Sequence, residues 1–238
     1  MTAPPADRLP SAPVLAIETA TTRALVALGT LDGGLLDVEE WEAGHRHAEE
    51  LLVRVAALLA RAGIGRPGPG ALAGIVAGTG PGGFTGLRVG LATAHGIARA
   101  AGAPLVGVPT GVALAAAARA TGAVPPGAEV ALLLPAGPAG RYLVRDGRAT
   151  MAPSDESNGD PAPGAMLVAV DLVDRAPEDA VARGALARTG LASALLGLGA
   201  ARLRAGVVEG AVLVPEYVTI PRGVAAVAGE VAWSPVRR

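Results

Sequence analysis

The residues from Gly78 to Gly90, GTGPGGFTGLRVG, form the stretch whose composition most suggests chemistry. Its glycines can adopt positive φ angles, and the backbone N–H groups at the start of a following helix can hold an anion. The residues expected to contact a phosphate are Gly80, Pro81, Gly82 and Gly83. However, the chain contains no lysine, and the stretch matches neither the P-loop nor the G-x-G-x-x-G dinucleotide fingerprint. Two interpretations stay open, a phosphate-binding loop and a tight turn from strand to helix.

Metal ligands and nucleophiles are sparse elsewhere. The histidines are His45, His47 and His95, whereas a helical metal pair needs two histidines four positions apart. Leu51 stands four positions after His47, so we expect no metal site. The chain has no cysteine and no G-x-S-x-G motif, so no catalytic nucleophile is predicted. Glu18 is the one carboxylate in a suggestive place, within a predicted strand–turn–strand unit.

The helix expected after the glycine-rich stretch carries a stripe of small residues at intervals of four. Its members are Gly86, Gly90, Ala94 and Ala98. Glycine inside a helix costs about 1 kcal/mol relative to alanine, so the stripe predicts the close approach of another element. The other faces of this helix are also apolar, which places that element either in the same chain or in another subunit. Thr85 is expected to cap the helix.

The composition bounds the class of protein. A net charge of -1 over 238 residues provides no general attraction to nucleic acid. The absence of cysteine excludes disulfides and thiolate zinc sites. The uncharged run 100–118 and the apolar run 67–87 both contain proline and glycine, so we expect strands, loops and helices there and no membrane span. The first residues lack the apolar region of a signal peptide, and we expect a cytoplasmic protein.

Hydrophobic periodicity predicts the elements that position these residues. Strands are expected at 14–17, 25–28, 35–41, 71–78 and 104–108, with helices over 45–62 and from the glycine-rich stretch to 101. The second half predicts a helix over 109–122, a strand pair at 129–137 and 141–150, a strand at 165–173 and one long helix over 183–204. The remaining segments are expected to be a disordered lead-in (1–12), a mobile polar loop (152–164) and a loose tail (223–238).

Two segments of the sequence resemble a known fold and a known family. VLAIETATTRALVAL, residues 14–28, resembles the first hairpin of the actin, sugar-kinase and Hsp70-like (ASKHA) fold. In that fold an acid and small hydroxyl residues line a phosphate site between two lobes. The resemblance implies that Glu18, Thr19, Thr21 and Thr22 lie at such a site. It also implies a two-lobed α/β fold, with an N-terminal lobe over 13–108 and a reduced, divergent C-terminal lobe over 109–222.

The segment GTGPGGFTGLRVGLATAHGIARAAGAPLVGVPT, residues 78–110, is similar to the GPGSFTGLRIG signature of the TsaB (YeaZ) proteins, with Gly83 in place of serine. These proteins are related to TsaD, once called a glycoprotease. The resemblance implies a role in making N6-threonylcarbamoyladenosine (t6A) at position 37 of tRNAs that read ANN codons. It further implies a noncatalytic subunit that pairs with TsaD through its N-terminal lobe, while TsaE joins with ATP.

The same resemblance implies how this chain meets its partners. The residues expected at the TsaD interface are His47, Leu51, Phe84, Thr85, Gly86, Arg88, Gly90 and Ala94. Without TsaD, the exposed faces of these helices predict a homodimer, and tRNA is expected to be reached indirectly through the complex. No cofactor is expected to bind this chain firmly, although ATP or ADP is expected at the complex interface.

Two other functions stay open on the residues themselves. The glycine-rich stretch and Glu18 would suit a small ATP-using, kinase-like enzyme of the same superfold, although the specific kinase motifs are absent. A metallopeptidase is the second alternative, and the histidine spacing argues against it.

Overall fold

The computed structural model of the chain describes residues 12–44, 47–137, 139–152, 164–207, 213–216 and 218. Within these residues the fold is mixed α/β, with two sheets and five helices. The first sheet contains β1 (Val14–Glu18), β2 (Arg23–Gly29), β3 (Leu35–Glu42), β4 (Gly74–Gly78) and β5 (Leu105–Val108). The second sheet contains β6 (Glu129–Ala136), β7 (Gly140–Arg145), β8 (Arg148–Met151) and β9 (Ala165–Ala169). The helices are α1 (His47–Arg61), α2 (Phe84–Ala101), α3 (Thr110–Ala120), α4 (Glu178–Thr189) and α5 (Leu191–Arg204).

The first sheet brings the chemistry-bearing segments to one edge. Its strand order is β3-β2-β1-β4-β5, and β1 pairs antiparallel with β2 and parallel with β4. β1 and β4 are buried along their whole length, as expected for strands covered on both faces. Helices α1 and α2 cover one face and α5 covers the other. Because β1 and β4 run parallel, their carboxyl ends at Glu18 and Gly78 lie side by side.

The second sheet shares an apolar core with the first. Its strand order is β8-β7-β6-β9, and β6 pairs parallel with β9 and antiparallel with β7. One continuous buried cluster includes Leu25 of β2, Leu132 of β6, Leu114 of α3 and Leu195 of α5. The two sheets are therefore joined by buried apolar contacts that pass through helices α3 and α5.

The structure corrects the prediction of one long helix over 183–204. Helix α4 ends at Thr189 and α5 begins at Leu191, and the two helices meet at a bend of 54°. A Cβ on the intervening Gly190 would lie only 2.7 Å from Cγ2 of Thr121. Glycine therefore allows the two helices to pack closely at the end of α3. The Ala/Leu periodicity predicted a continuous helix because this contact is not local in the sequence.

A second correction concerns the strand predicted over 141–150. The structure divides this segment into β7 and β8, which are joined by a turn at Asp146 and Gly147. Both turn residues have positive φ angles, 47° and 72°, and an Asp-Gly pair is a strong signal for a two-residue hairpin turn. The sequence therefore carried the signal for this second hairpin, and the prediction of a single strand was wrong.

Several predictions fall on residues that the structure does not describe. Apart from residues 12, 152 and 164, the predicted lead-in (1–12), polar loop (152–164) and tail (223–238) lie outside the described residues, and so does His45. The division into lobes at residues 108 and 109 stays a prediction. Among the described residues, no single helix is long and apolar enough to cross a membrane, and α4 and α5 satisfy that test only together, as the bent pair.

Candidate functional site

The signature loop, residues 78–90, extends from the last residue of β4 into the first two turns of α2. β4 ends at Gly78, and the loop then turns through Gly80, whose φ is 101°. Helix α2 begins at Phe84, and Gly83 occupies the N-cap position without a side-chain hydrogen bond. The prediction that Thr85 caps this helix is therefore wrong, because Thr85 already lies within the first turn. The predicted end of the helix is confirmed, since Gly102 terminates it with a φ of 58°.

Glu18 is buried directly beneath the signature loop. One carboxylate oxygen, Oε1, accepts the backbone N–H of Ala20 at 2.6 Å, and Oε2 accepts the hydroxyl of Thr110 at 2.7 Å. The same Thr110 oxygen accepts the N–H of Gly80 at 3.0 Å. Burial raises the pKa of Glu18, and the hydrogen bonds from Thr110 and Ala20 partly offset this rise. A Cβ on Gly78 would overlap Oε2 of Glu18, so glycine is required where this carboxylate meets β4.

The turn between β1 and β2 is bonded to the start of α2. The hydroxyl of Thr19 donates to the carbonyl oxygen of Gly86 at 2.8 Å. The N–H of Gly83 donates to the carbonyl oxygen of Ala20 at 2.7 Å. These bonds hold the first turn of α2 against the hairpin turn. We call residues 18–23 the hairpin turn from here on.

The stripe of small residues on α2 faces this chain's own interior. Gly86, Gly90 and Ala94 are buried, and a Cβ on Gly90 would overlap the Thr19 hydroxyl. The element that approaches α2 closely is therefore the hairpin turn and the strand before it. Leu51 of α1 is buried in the same apolar cluster as Ala94.

The residues predicted at the partner interface differ in their exposure. Leu51, Gly86, Gly90 and Ala94 are buried within the chain's own core. His47 is the first residue of α1, and its side chain lies outside the described part of the structure. Phe84, Thr85 and Arg88 are exposed. The partner interface stays a prediction, and among its described members Phe84, Thr85 and Arg88 are the exposed ones.

Several of the predicted phosphate ligands already have partners within the chain. The backbone N–H groups of Gly80 and Gly83 are bonded to Thr110 and Ala20. Thr21 donates its hydroxyl to the carbonyl oxygen of Arg23, and Thr22 donates to Asp171. Pro81 has no N–H to offer a phosphate. An anion at this site would have to displace these bonds and lie close to the buried Glu18.

Gly82 and Gly83 differ in what their lack of a side chain achieves. A Cβ on Gly82 would overlap the carbonyl of Ala20, whereas a Cβ on Gly83 would lie 3.7 Å from the same oxygen. Gly82 is therefore required for the loop to approach the hairpin turn. Gly83, which replaces the serine of the family signature, is exposed and has room for a side chain.

The outer side of the signature loop presents a different chemistry. Phe84 is 38% exposed, and the guanidinium of Arg88 lies over its ring, 3.8 Å from the centroid. Beside them, helices α1 and α2 and the loop after α1 line a mostly apolar groove of about 790 Å³. The residues that line it are Leu52, Arg66, Pro67, Gly68, Ala92, Thr93, Gly96, Ile97 and Ala100. Leu52 and its neighbour Val53 are 57% and 67% exposed.

A second cavity of about 500 Å³ lies between the two sheets. Its walls come from β2 and β3 on one side and from the end of β9 and α4 on the other, and we call it the cleft. Arg188 and Asp171 lie on its wall together with Thr22, Arg23 and Glu40. Arg188 is buried although it is charged, with 6% of its surface exposed.

Sequence reasoning missed Thr110, Asp171 and Arg188. Thr110 lies at the end of the segment that resembles the family signature, but its hydroxyl meets Glu18 across 92 positions of sequence. Asp171 carried one local signal, since it follows a buried strand. Arg188 carried no signal, because a single arginine in an alanine-rich helix is usually solvated.

His95 lies on α2, and both of its ring nitrogens contact backbone groups of this chain. Its Nδ1 lies 2.8 Å from the carbonyl oxygen of Leu91, and its Nε2 accepts the N–H of Leu213 at 3.1 Å. The ring therefore carries its proton on Nδ1 and tethers Leu213 to α2. In the part of the chain that the structure describes, no three His, Cys, Asp or Glu side chains are grouped so that they could hold a metal ion.

Comparison with protein families identifies the group to which this arrangement belongs. The model of the family described as "TsaD: tRNA N6-adenosine threonylcarbamoyltransferase" matches residues 41–198, more than half of the chain. The chain belongs to this family. Among curated proteins, it is 36% identical over 97 residues to the tRNA threonylcarbamoyladenosine biosynthesis protein TsaB of Escherichia coli (strain K12). That match covers 41% of this chain and 40% of the relative, so the chain spans about two fifths of the curated protein that it matches.

Two solved structures extend the similarity over most of the chain. YeaZ from Pseudomonas aeruginosa is 27% identical with a TM-score of 0.58, and the match covers 87% of this chain and 99% of that one. An uncharacterized protein with similarity to peptidase YEAZ from Pseudomonas aeruginosa is 26% identical with a TM-score of 0.53, covering 87% and 100%. The predicted resemblance to TsaB (YeaZ) proteins is confirmed. The structural match also includes the second half of the chain, which the sequence resemblance did not cover.

Proposed function

We propose that this chain is the noncatalytic partner subunit of a TsaD-containing complex that makes t6A at position 37 of tRNAs reading ANN codons. Its part in t6A biosynthesis is supported by membership of the TsaD family and by similarity to TsaB of Escherichia coli and to YeaZ. Its role is to scaffold and activate TsaD. The ASKHA fold belongs to the same proposal, supported by two α/β layers with a cleft between them.

One observation carries the noncatalytic assignment: the inner side of the signature loop is occupied by the chain itself. The carboxylate of Glu18 lies under the loop, and the N–H groups of Gly80 and Gly83 donate to internal acceptors. A phosphate-transfer site needs N–H groups or cations directed at the ligand. A loop bonded in this way instead has the geometry of a structural junction.

The outer side of the signature loop supplies the surface for TsaD. Phe84 with the stacked Arg88 suits a protein interface, because aromatic and arginine side chains dominate binding energy in such interfaces. The adjoining groove between α1 and α2 adds apolar area around Leu52 and Val53. In the absence of TsaD, we propose that the same surface joins two copies of this chain as a homodimer.

Cofactor and substrate are assigned to the complex in this proposal. The chain alone binds no nucleotide firmly, and ATP or ADP lies at the interface when TsaE joins. tRNA reaches the active subunit through TsaD, so this chain contributes to tRNA modification indirectly.

The test is reconstitution with TsaD from the same organism. We expect the chain and TsaD to elute together in gel filtration, and t6A to form on tRNA only when TsaD, TsaE, ATP and a preformed activated threonylcarbamoyl donor are also present. Failure of the two proteins to associate would overturn the proposal, as would t6A synthesis by this chain without TsaD.

A calorimetric titration with ATP and Mg²⁺ tests the kinase-like alternative on the isolated chain. The proposal expects no firm binding and no turnover. Micromolar affinity accompanied by phosphate transfer would favour the enzyme over the scaffold. The Glu18→Gln variant provides a control, because a phosphate site beneath the loop would gain affinity when this carboxylate becomes neutral.

A further inference from the structure

Arg188 connects helix α4 to the hairpin turn. Its Nη1 donates to the hydroxyl of Thr21 at 2.9 Å, and its Nη2 donates to the carbonyl oxygen of Arg23 at 2.6 Å. Its Nε also lies 2.5 Å from a carboxylate oxygen of Glu40 on β3, as an ion pair whose angles do not form a hydrogen bond. A buried arginine whose fork meets a backbone carbonyl fixes the position of that backbone more tightly than a surface ion pair does.

Asp171 completes this connection from the end of β9. Its Oδ2 accepts the Thr22 hydroxyl at 2.8 Å and the Arg23 N–H at 3.4 Å, and it lies 3.5 Å from Nη1 of Arg188. Asp171 has a φ of 55°, a conformation that Asp and Asn adopt more readily than other residues with a side chain. Helix α4 and the segment after β9 therefore hold the hairpin turn with two oppositely charged side chains, Arg188 and Asp171.

The hairpin turn in turn holds the first turn of α2. Ala20 accepts the N–H of Gly83, and the hydroxyl of Thr19 donates to the carbonyl of Gly86. These contacts form a continuous hydrogen-bonded path from α4, on the wall of the cleft, to the exposed Phe84 at the start of α2.

We infer that Arg188 is a positioning residue which, together with Asp171, sets the hairpin turn and through it the orientation of the first turn of α2. The cleft and the outer side of the signature loop are coupled by this path, so a change at the cleft alters the surface offered to a partner. The effect on partner binding rests on the proposed function, whereas the effect on the loop itself does not.

The experiment compares hydrogen exchange in full-length Arg188→Met and Arg183→Met proteins. Arg183 is a matched control because it lies on the same helix and, among the described residues, its side chain bonds to Leu167 and Asp179, away from the hairpin turn. In Arg188→Met we expect peptides covering 18–24 and 80–88 to exchange about tenfold faster, the loss expected when charged hydrogen bonds are removed. Peptides covering β6 are expected to keep the wild-type rate, and Arg183→Met is expected to leave both loop segments unchanged.

Two results would overturn the inference. Wild-type exchange at 80–88 in Arg188→Met would show that the path does not reach α2. An equal increase in β6 and in the loop segments would show that Arg188 only stabilises the core. If Arg188→Met does not fold, the exposed Thr22→Val variant decides instead, because it removes the bond to Asp171 alone. It is expected to raise exchange in the same two segments by a smaller factor, and wild-type rates there would reject the path.

The affinity for TsaD provides a second measurement, because Arg188→Met does not change Phe84 or the residues that line the groove. We expect Arg188→Met to bind TsaD about tenfold more weakly than Arg183→Met does, because the binding surface is less ordered. Equal affinities despite faster loop exchange would overturn the coupling to the partner surface. If the wild-type chain does not bind TsaD, the proposed function fails, while the exchange measurement still decides the inference about the loop.

Discussion

The inner and outer sides of the signature loop differ in what their residues contact. On the inner side, Gly78, Gly82 and Gly90 leave no room for a side chain, and Glu18, Ala20 and Thr19 fill the space. On the outer side, Phe84 and the groove beside it expose apolar surface. An added atom on the inner side therefore disrupts the fold. Removal of a large side chain on the outer side costs the fold less.

The largest expected effect is on the inner side. Gly90→Ala is expected to lower the free energy of unfolding by about 2–3 kcal/mol, because the added methyl group overlaps the Thr19 hydroxyl in a packed interior. Urea unfolding measures this loss. The double variant Gly90→Ala with Thr19→Ala is expected to lose less than the sum of the single losses, because the second change removes the overlapping group. Strict additivity would mean that the two residues do not touch.

The next largest expected effect is on the outer side and concerns the affinity for TsaD. Phe84→Ala is expected to weaken association with TsaD about tenfold, as is typical of an aromatic anchor in an interface. Its unfolding free energy is expected to fall by about 1 kcal/mol, less than for Gly90→Ala, because the ring is only partly covered, with 38% of the residue exposed. Calorimetric titration and urea unfolding measure the two quantities. Arg119→Ala, an exposed change on α3 away from the groove, is the control and should alter neither.

The inner side also predicts a pH dependence. Burial raises the pKa of Glu18 above 4.5. The folded protein therefore favours the neutral form of this carboxyl more than the unfolded chain does. Its contribution to stability is therefore fully present below pH 4.5 and is lost as the pH rises through the folded-state pKa. We expect the stability of the wild type relative to Glu18→Gln to decrease over that interval, as measured by urea unfolding at a series of pH values. A constant difference between the two proteins would contradict the buried position of the carboxyl.

The smallest expected effect is a gain. A Cβ on Gly96 of α2 meets no atom within 4 Å, so Gly96→Ala is expected to raise the unfolding free energy by about 0.5–1 kcal/mol through helix propensity alone. Comparison of its thermal unfolding with that of Gly90→Ala tests the difference between a closely packed and an open glycine on the same helix. If Gly96→Ala lowered the stability as Gly90→Ala does, another group would have to occupy the space beside Gly96.

Local patterns were sufficient to predict most of the first sheet and its helices. The apolar runs at 14–17 and 25–28 correspond to β1 and β2, and the run before the signature loop corresponds to β4. The extent of α2 was also predicted, because Gly102 provides a local stop signal. These elements depend on short-range backbone preferences and on periodicity, both of which can be read from neighbouring residues.

The long-range contacts could not be predicted in the same way. The stripe Gly86, Gly90 and Ala94 showed that something approaches α2 closely, but two identities for it fitted the sequence equally well. The structure decided for the hairpin turn. Likewise, the glycines of the signature loop fitted both a phosphate site and a turn, and nothing in the sequence indicated that the N–H groups of Gly80 and Gly83 bond to Thr110 and Ala20.

By itself, the sequence determined the α/β class, the position of the signature loop between a strand and a helix, and the resemblance to TsaB (YeaZ) proteins. These follow from local periodicity and from one contiguous motif. Only the tertiary structure decided what the loop faces. Glu18 meets Thr110, and Arg188 meets Thr21, across separations of 92 and 167 residues. A residue's own sequence context carries no record of a partner that chain folding brings to it from so far away.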